Sequence, residues 1–365
     1  MTPRENPELI GHPEAERALL AAWNSGRMPH AWLIGGVSGI GKTTLAFRFA
    51  RFALANGGQA RSGGQGGGLD MFGAPPPMPT SLYLSPDHPV FRRVRAGGHA
   101  DLLTVERRYD DKRGKMKTEI AVDDVREVSA FMRRTSGEDG WRVVIIDGVE
   151  QMNASGHNAL LKIIEEPPEQ ALLLLVTETP GGLLPTIRSR CRKLLLDPLS
   201  EGAVADWLAT HKPDLAEADR AALARLSEGS IGRALSLATA GGLDLYRQLL
   251  AVLGTLPRLN LKAAHAFADS VTRKGEDESW ETATDLLVWW LARLVKALAQ
   301  GRQPAEIGAG EGALVARLTA AQPGLDRWLE LWEKTAQLFA RADAANLDRK
   351  QVVLNALLSI EAALP

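Results

Sequence analysis

The chain has a single cysteine, Cys191, which excludes an internal disulfide framework and any cluster of thiolate metal ligands. It lacks a continuous apolar run of about eighteen residues, the length a membrane-spanning helix needs. Its opening segment, MTPRENPELIGHPEAER, has no apolar signal core. These absences predict a protein of the reducing cytoplasm with no membrane partner. A surplus of one charge is missing too, since 43 Lys and Arg face 44 Asp and Glu. The chain as a whole therefore has no basic excess of the kind that holds a stand-alone binder to nucleic-acid phosphates, so any DNA contact must be local or shared with partners. What it does have is length. Its 365 residues, at roughly 150 per domain, leave room for two or three domains with cores of their own.

Strand and helix signals alternate through the first part. Helical spacing of apolar residues predicts helices over 14–23 and 43–54, and short apolar runs predict buried strands at 31–34, 102–105, 143–146 and 172–176. Asp124, with Glu127 three residues on, offers a helix cap for a helix through Met132. A helix over 155–166 is stopped by Pro167-Pro168. This alternation predicts an α/β domain with a parallel sheet over residues 1–195. Inside it, residues of about 56–80 are so rich in Gly and Pro that they predict an insertion without a packed core. Residues 107–117 form a basic hairpin or loop, either solvated or touching DNA phosphates. Beyond 195 the strand signal fades, and short helices over 200–240 lead to longer ones at 280–300, 325–342 and 349–363. Trp289, Trp290, Trp328 and Trp332 lie on two of these and read as helix-packing side chains.

The chemistry concentrates in Gly36-Val37-Ser38-Gly39-Ile40-Gly41-Lys42-Thr43-Thr44, which fits the phosphate-loop pattern G-x-x-x-x-G-K-[ST] between an expected strand and an expected helix. Backbone N–H groups of such a loop turn inward around phosphate oxygens, the lysine reaches the terminal phosphates, and the Thr43 hydroxyl can ligate magnesium. The acidic partner is Asp147, at the end of the 143–146 strand. Hydrolysis also needs a group that positions water. ATPases of this type usually place a glutamate directly after the aspartate, but that position here is Gly148, with Glu150 two residues further as a substitute. With no glutamate at 148, and Glu150 out of register as its replacement, the loop is expected to be occupied with weak or absent hydrolysis of its own.

Two further runs carry a resemblance. Asn158-Ala159-Leu160-Leu161-Lys162-Ile163-Ile164-Glu165-Glu166-Pro167-Pro168 and Leu184-Pro185-Thr186-Ile187-Arg188-Ser189-Arg190-Cys191 resemble the AAA+ clamp-loader subunits of bacterial DNA polymerase III. Ser25-Gly26-Arg27-Met28-Pro29-His30-Ala31 and Asn346-Leu347-Asp348-Arg349-Lys350 are similar to the same family, so the likeness spans most of the chain. It implies an AAA+ domain over 1–195, a small helical lid over 196–243 and an all-α collar over 244–365 through which a ring assembles. It also implies that Arg190 is an arginine finger, entering the nucleotide site of a neighbouring subunit, and that Thr177 at a strand end is a nucleotide sensor. From spacing alone, Arg190 reads as an ordinary surface or salt-bridged arginine, and only the resemblance makes it a finger, whereas Thr177 reads equally as a strand-end hydrogen-bonding residue.

Within that family the motor subunits (tau/gamma) carry Asp-Glu in the acidic motif, an Arg-Asp pair in the sensor-2 segment and four zinc-binding cysteines. This chain has Asp147-Gly148, has Gly232-Arg233 in Gly229-Ser230-Ile231-Gly232-Arg233-Ala234-Leu235, and has no cysteine in its insertion. The departures point to the stator-like, delta-prime branch. No zinc site is expected, and His88 and His99 beside the insertion do not make one. The resemblance implies ATP or ADP with Mg2+ as ligand, held by the loop with Thr43 and Asp147. The implied partners are tau/gamma and delta subunits in a hetero-pentamer, and through it a sliding clamp and primed DNA. The rival readings are an autonomous AAA+ ATPase, such as a shortened motor subunit, and a scaffold with an unused loop.

Overall fold

A computed structural model describes residues 2–57, 78–110, 115–137, 140–273, 277–320 and 324–364. The Gly/Pro insertion therefore falls largely outside the described residues, as do positions 111–114 of the basic segment. The chain divides into two compact units, Met1–Ala203 and Val204–Pro365.

The first unit opens with α1 (Pro13–Asn24), β1 (Ala31–Gly35) and α2 (Lys42–Asn56). Helix α3 (Pro89–Arg95), strand β2 (Leu102–Val105) and a hairpin of β3 (Tyr109–Asp110) and β4 (Lys115–Met116) follow. Then come α4 (Val122–Met132), β5 (Arg142–Asp147), α5 (Ala154–Glu165), β6 (Ala171–Thr177), α6 (Pro185–Arg190) and β7 (Arg192–Leu195). Five strands make one sheet in the order β2-β5-β6-β1-β7, every pair parallel. Residues alternate between two cores. Trp32, Ile34, Val143, Ile145, Leu172 and Leu174 pack with α1, α2 and α3, whereas Leu33, Val144, Ile146, Leu173 and Leu175 pack with α4, α5 and α6. Val143 to Ile146 have no exposed surface, each side chain contributing on the order of 1.5–3 kcal/mol of burial. That double burial is why the central strands read as unbroken apolar runs.

Two expectations need correction. Helix α4 starts at Val122, with Ala121 and not Asp124 at its cap; Asp124 sits in its first turn, where its carboxylate accepts the Ala121 N–H at 3.3 Å and pairs with Arg108 at 2.5 Å. A carboxylate there complements the exposed N–H groups of the helix end, so the pattern marked the helix start three residues late. The strand signal also extends past the expected set, because β7 pairs with β1 as an edge strand.

The second unit is helical among the described residues. It runs from the remainder of α7 (Glu201–His211) through α8 (Glu217–Leu226), α9 (Ile231–Thr239), α10 (Gly242–Leu253), α11 (Leu261–Val271), α12 (Asp277–Gln300), α13 (Glu311–Ala320), α14 (Leu325–Ala345) and α15 (Arg349–Ala362). Most of the expected lid and the whole expected collar lie within this unit. Trp280, Trp290 and Trp328 are buried; the Trp280 indole donates to Asp343 at 3.0 Å and meets the Phe339 ring edge-on at 5.9 Å. Glu311, its most buried carboxylate among the described residues, accepts from the Tyr246 hydroxyl at 2.8 Å and pairs with Arg293 at 2.5 Å. Among the described residues no helix is long and apolar enough to cross a membrane.

Candidate functional site

The phosphate loop lies where sequence puts it, between β1 and α2. Gly36, Gly39 and Gly41 take φ values of 151°, 72° and 105°, a region that side-chain-bearing residues avoid. At Gly36 a Cβ would also stand 2.7 Å from the Leu196 carbonyl oxygen. Lys42 opens α2 with 5% of its surface exposed, and its ammonium donates to the Val37 carbonyl of the loop at 2.6 Å. Burial pulls its pKa below the usual lysine value, while the charges of Glu178, Asp147 and Glu150 push it back up. The residues before α1 brace this region. The His12 ring bonds the Ile40 carbonyl at 2.8 Å, and Arg48 donates to the Pro7 carbonyl at 2.7 Å. Arg51, 1% exposed, donates to the carbonyls of Arg4 and Asn6 at 3.0 and 2.7 Å and lies 4.4 Å from the Phe91 ring centre. Burial draws its pKa down to about 10.

Three neighbouring strand ends converge beside the loop. Gly35 of β1 is level with Thr177 of β6, and Asp147 of β5 with Val176. The Thr43 hydroxyl donates to the Asp147 carboxylate at 2.9 Å. Burial raises the pKa of Asp147 above its ordinary value, and the Thr43 hydrogen bond partly offsets this. After Asp147 the chain reverses. Gly148 adopts φ 83°, its N–H donates to the Val176 carbonyl at 3.1 Å, and a single turn, Val149–Gln151, follows. This turn carries Glu150 back toward the strand ends, where its carboxylate accepts the Glu178 N–H at 3.0 Å. Asp147, Glu150, Gln151, Thr177, Glu178 and Arg107 line a cavity of about 210 Å³. Thr177 is fully buried and accepts the Thr179 N–H at 3.2 Å, so the strand-end bond expected of it is present and it also walls the cavity.

These groups suit a magnesium nucleotide. The Thr43 hydroxyl and Asp147 carboxylate are hard oxygen donors already in contact, and the buried Lys42 ammonium meets the Val37 carbonyl in a turn opened by glycine. Sequence reasoning missed Glu178, Gln151 and Arg107 as cavity residues. Glu178 had one available signal, its place directly after the strand-end Thr177.

Arg190 ends α6. Its guanidinium pairs with Glu165 at 3.1 Å and donates to the Thr186 carbonyl at 3.1 Å, with 42% of the side chain exposed. An exposed pair of this kind is worth about 0–1 kcal/mol, so Glu165 does not hold Arg190 against a stronger anion. Next to it Cys191 is buried, which pushes its thiol up to about 11 and leaves it unreactive. Within the second unit, the Arg233 guanidinium lies 5.7 Å from the Trp289 ring centre, and the Arg233 backbone N–H donates to the capping Ser230 hydroxyl at 3.0 Å. His88 caps α3, accepting the Val90 N–H at 3.2 Å, and the buried His99 accepts the Asp101 N–H at 3.2 Å. The remaining family-like runs have structural parts. His30 bonds the Ile164 carbonyl of α5 at 3.0 Å, Asn346 ends α14 at φ 48°, and Asp348 caps α15.

Comparison with known proteins agrees with these motifs. Residues 86–200 match the family described as DNA polymerase III, delta subunit. The chain is 32% identical over 201 residues to DNA polymerase III subunit delta' of Pseudomonas aeruginosa, covering 55% of this chain and 53% of that protein. It is 32% identical over 226 residues to subunit delta' of Escherichia coli, covering 62% and 59%. To subunit tau of Escherichia coli it is 28% identical over 267 residues, covering 70% of this chain and 36% of tau. The chain thus spans a little over half the length of the delta' relatives it matches. A solved DNA polymerase III gamma subunit-related protein of Thermotoga maritima overlays with a TM-score of 0.40 at 18% identity, covering 94% of this chain and 99% of that one. Over the matched residues the chain is therefore similar to delta' subunits of bacterial DNA polymerase III and, at lower identity, to a tau subunit.

Proposed function

We propose that this chain is a delta-prime-type stator of a clamp loader, binding ATP or ADP with Mg2+ at residues 36–44 and lending Arg190 to the nucleotide of an adjacent subunit. Residues 1–195 act as the AAA+ domain, 196–243 as its lid and 244–365 as the collar. The partners are tau/gamma and delta subunits in a hetero-pentamer that places a sliding clamp on primed DNA. At the chain's own loop, Thr43 and Asp147 would hold the magnesium, which neutralises charge on the terminal phosphates. Lys42 reaches those phosphates by leaving the Val37 carbonyl. Arg190, loosely paired and half in solvent, is free to meet a phosphate brought by a neighbour, where such a finger is worth on the order of 10³–10⁵ in rate.

The observation that carries the stator reading is Gly148. The residue that should position water has no side chain, and its backbone conformation disfavours one. The rival reading, an autonomous ATPase, draws support from the intact Lys42, Thr43 and Asp147 set and from the similarity to tau. Phosphate release by the isolated chain separates them. A stator turns over slowly alone yet is stabilised by bound nucleotide, whereas an autonomous enzyme cycles briskly and stops with Lys42→Ala. A scaffold with an unused loop would give no binding heat with either nucleotide.

A further inference from the structure

The cavity at the strand ends holds a carboxylate for which the stator reading has no use. Glu150 lies three residues after Asp147, and its approach to the cavity follows from the reversal at Gly148. The Gly148 N–H is fixed to the Val176 carbonyl at 3.1 Å and the Gln151 N–H returns to the Gly148 carbonyl at 2.9 Å. The turn is thus tied to the end of β6, and it turns the Glu150 side chain to the strand ends, where it lines the cavity together with Asp147, whose carboxylate is bonded to Thr43 of the loop.

One Glu150 oxygen accepts the Glu178 N–H at 3.0 Å, while the other is buried and has no donor among the described residues. A buried carboxylate oxygen without a donor is costly, on the order of 1–3 kcal/mol or more, so it favours a conformation or a ligand that supplies one. Asp147 and Thr177 share the cavity wall with it, and its volume of about 210 Å³ admits water. The charge of Glu150 also raises the proton affinity of both Lys42 and Asp147, which places it within electrostatic reach of the phosphate-binding groups.

We propose that Glu150 orients and deprotonates the attacking water of this pocket, replacing the glutamate missing at position 148 and giving the chain a slow hydrolysis of its own. The water oxygen forms a bond to the γ-phosphorus and the bond between that phosphorus and the β–γ bridging oxygen breaks. ADP leaves with the electron pair, and the water's proton passes to Glu150 and then to solvent. The step is slow because the Glu150 carboxylate must serve water while held by the Glu178 N–H, and because no neighbouring arginine reaches an isolated chain. The inference rests on the reading of the loop as a nucleotide site.

The test uses the full chain in excess over Mg-ATP, following both single-turnover cleavage and equilibrium affinity by calorimetry. Glu150→Gln keeps the shape and the acceptor for Glu178 but loses the negative charge and the base. It should slow cleavage on the order of 10²-fold while ATP affinity holds or tightens. A merely structural role would instead weaken ATP and ADP binding together, and that result overturns the proposal. So does equal cleavage by both proteins, or a wild-type chain that binds ATP and never cleaves it, while the nucleotide reading stands. If the wild-type chain binds neither nucleotide, the reading of the loop fails and this inference falls with it.

Discussion

Replacing Gly148 by alanine tests how firmly the turn after Asp147 is determined. The residue sits at φ 83°, where a Cβ crowds its own backbone at a cost of about 1–2 kcal/mol. That Cβ would also stand 2.5 Å from the Gln151 side-chain oxygen, the far end of a flexible chain that can swing away for roughly 1 kcal/mol. The expected loss for Gly148→Ala is therefore about 2 kcal/mol, which for a unit of some 200 residues lowers the melting temperature by roughly 4–8 °C. Adding Gln151→Ala should recover only the crowding part, leaving about 1–2 kcal/mol from the backbone. Gly148→Glu should suffer the same loss and gain no brisk turnover, because its side chain would leave a left-handed backbone in a direction already taken by Gln151. Chemical denaturation of the three proteins provides the measurement. A Gly148→Ala protein within about 0.3 kcal/mol of wild type, or a Gly148→Glu protein that hydrolyses ATP rapidly, would refute the reasoning.

Other consequences are as direct. Arg51→Met leaves the Arg4 and Asn6 carbonyls without their donor and should cost about 2 kcal/mol, with amide exchange accelerating in residues 4–7 ahead of the rest. Lys42→Ala should melt normally without ligand but lose the nucleotide-induced shift, which for the wild type reaches about 2.7 kcal/mol at a hundredfold excess over Kd. A wild-type-sized shift in that variant would remove Lys42 from phosphate binding. For Asp147, burial raises the folded-state pKa above the ordinary 3.8, so the folded chain binds that proton more tightly than the unfolded one. This contribution is fully present below 3.8 and is lost as pH rises through the folded-state value. Asp147→Asn should accordingly melt higher than wild type at pH 7 without nucleotide, the difference closing near pH 4; a lower melting point at pH 7 would contradict the assignment.

The parts of the site that follow one stretch of sequence were legible. Gly36 to Gly41 lies between strand and helix, with Lys42 and Thr43 opening the helix as the pattern requires, and Asp147 closes a strand buried on both faces. What depends on neighbouring strands was not. Nothing local says that Glu178 donates its N–H to Glu150, or that the Gly148 turn is tied to Val176, because both bonds join β6 to a segment more than twenty residues away. Strand β7 was hidden by Arg192 and Lys193, charged side chains that an edge strand can point into solvent and a central one cannot. Helix α3 was obscured by its short length and its cap at His88, a less familiar signal than Ser or Asp. The buried tryptophans of α12 and α14 behaved as their helical spacing suggested, packing within the second unit.

The central claim is that this chain serves a reaction housed in its neighbour more than the one in its own pocket. Reconstitution with tau/gamma and delta subunits, the sliding clamp and primed DNA measures it most directly, with phosphate release compared for wild type and Arg190→Ala. The account predicts that the Arg190→Ala assembly forms normally and that hydrolysis at the adjacent site falls on the order of 10³-fold. Undiminished hydrolysis by an intact assembly lacking that guanidinium would contradict it.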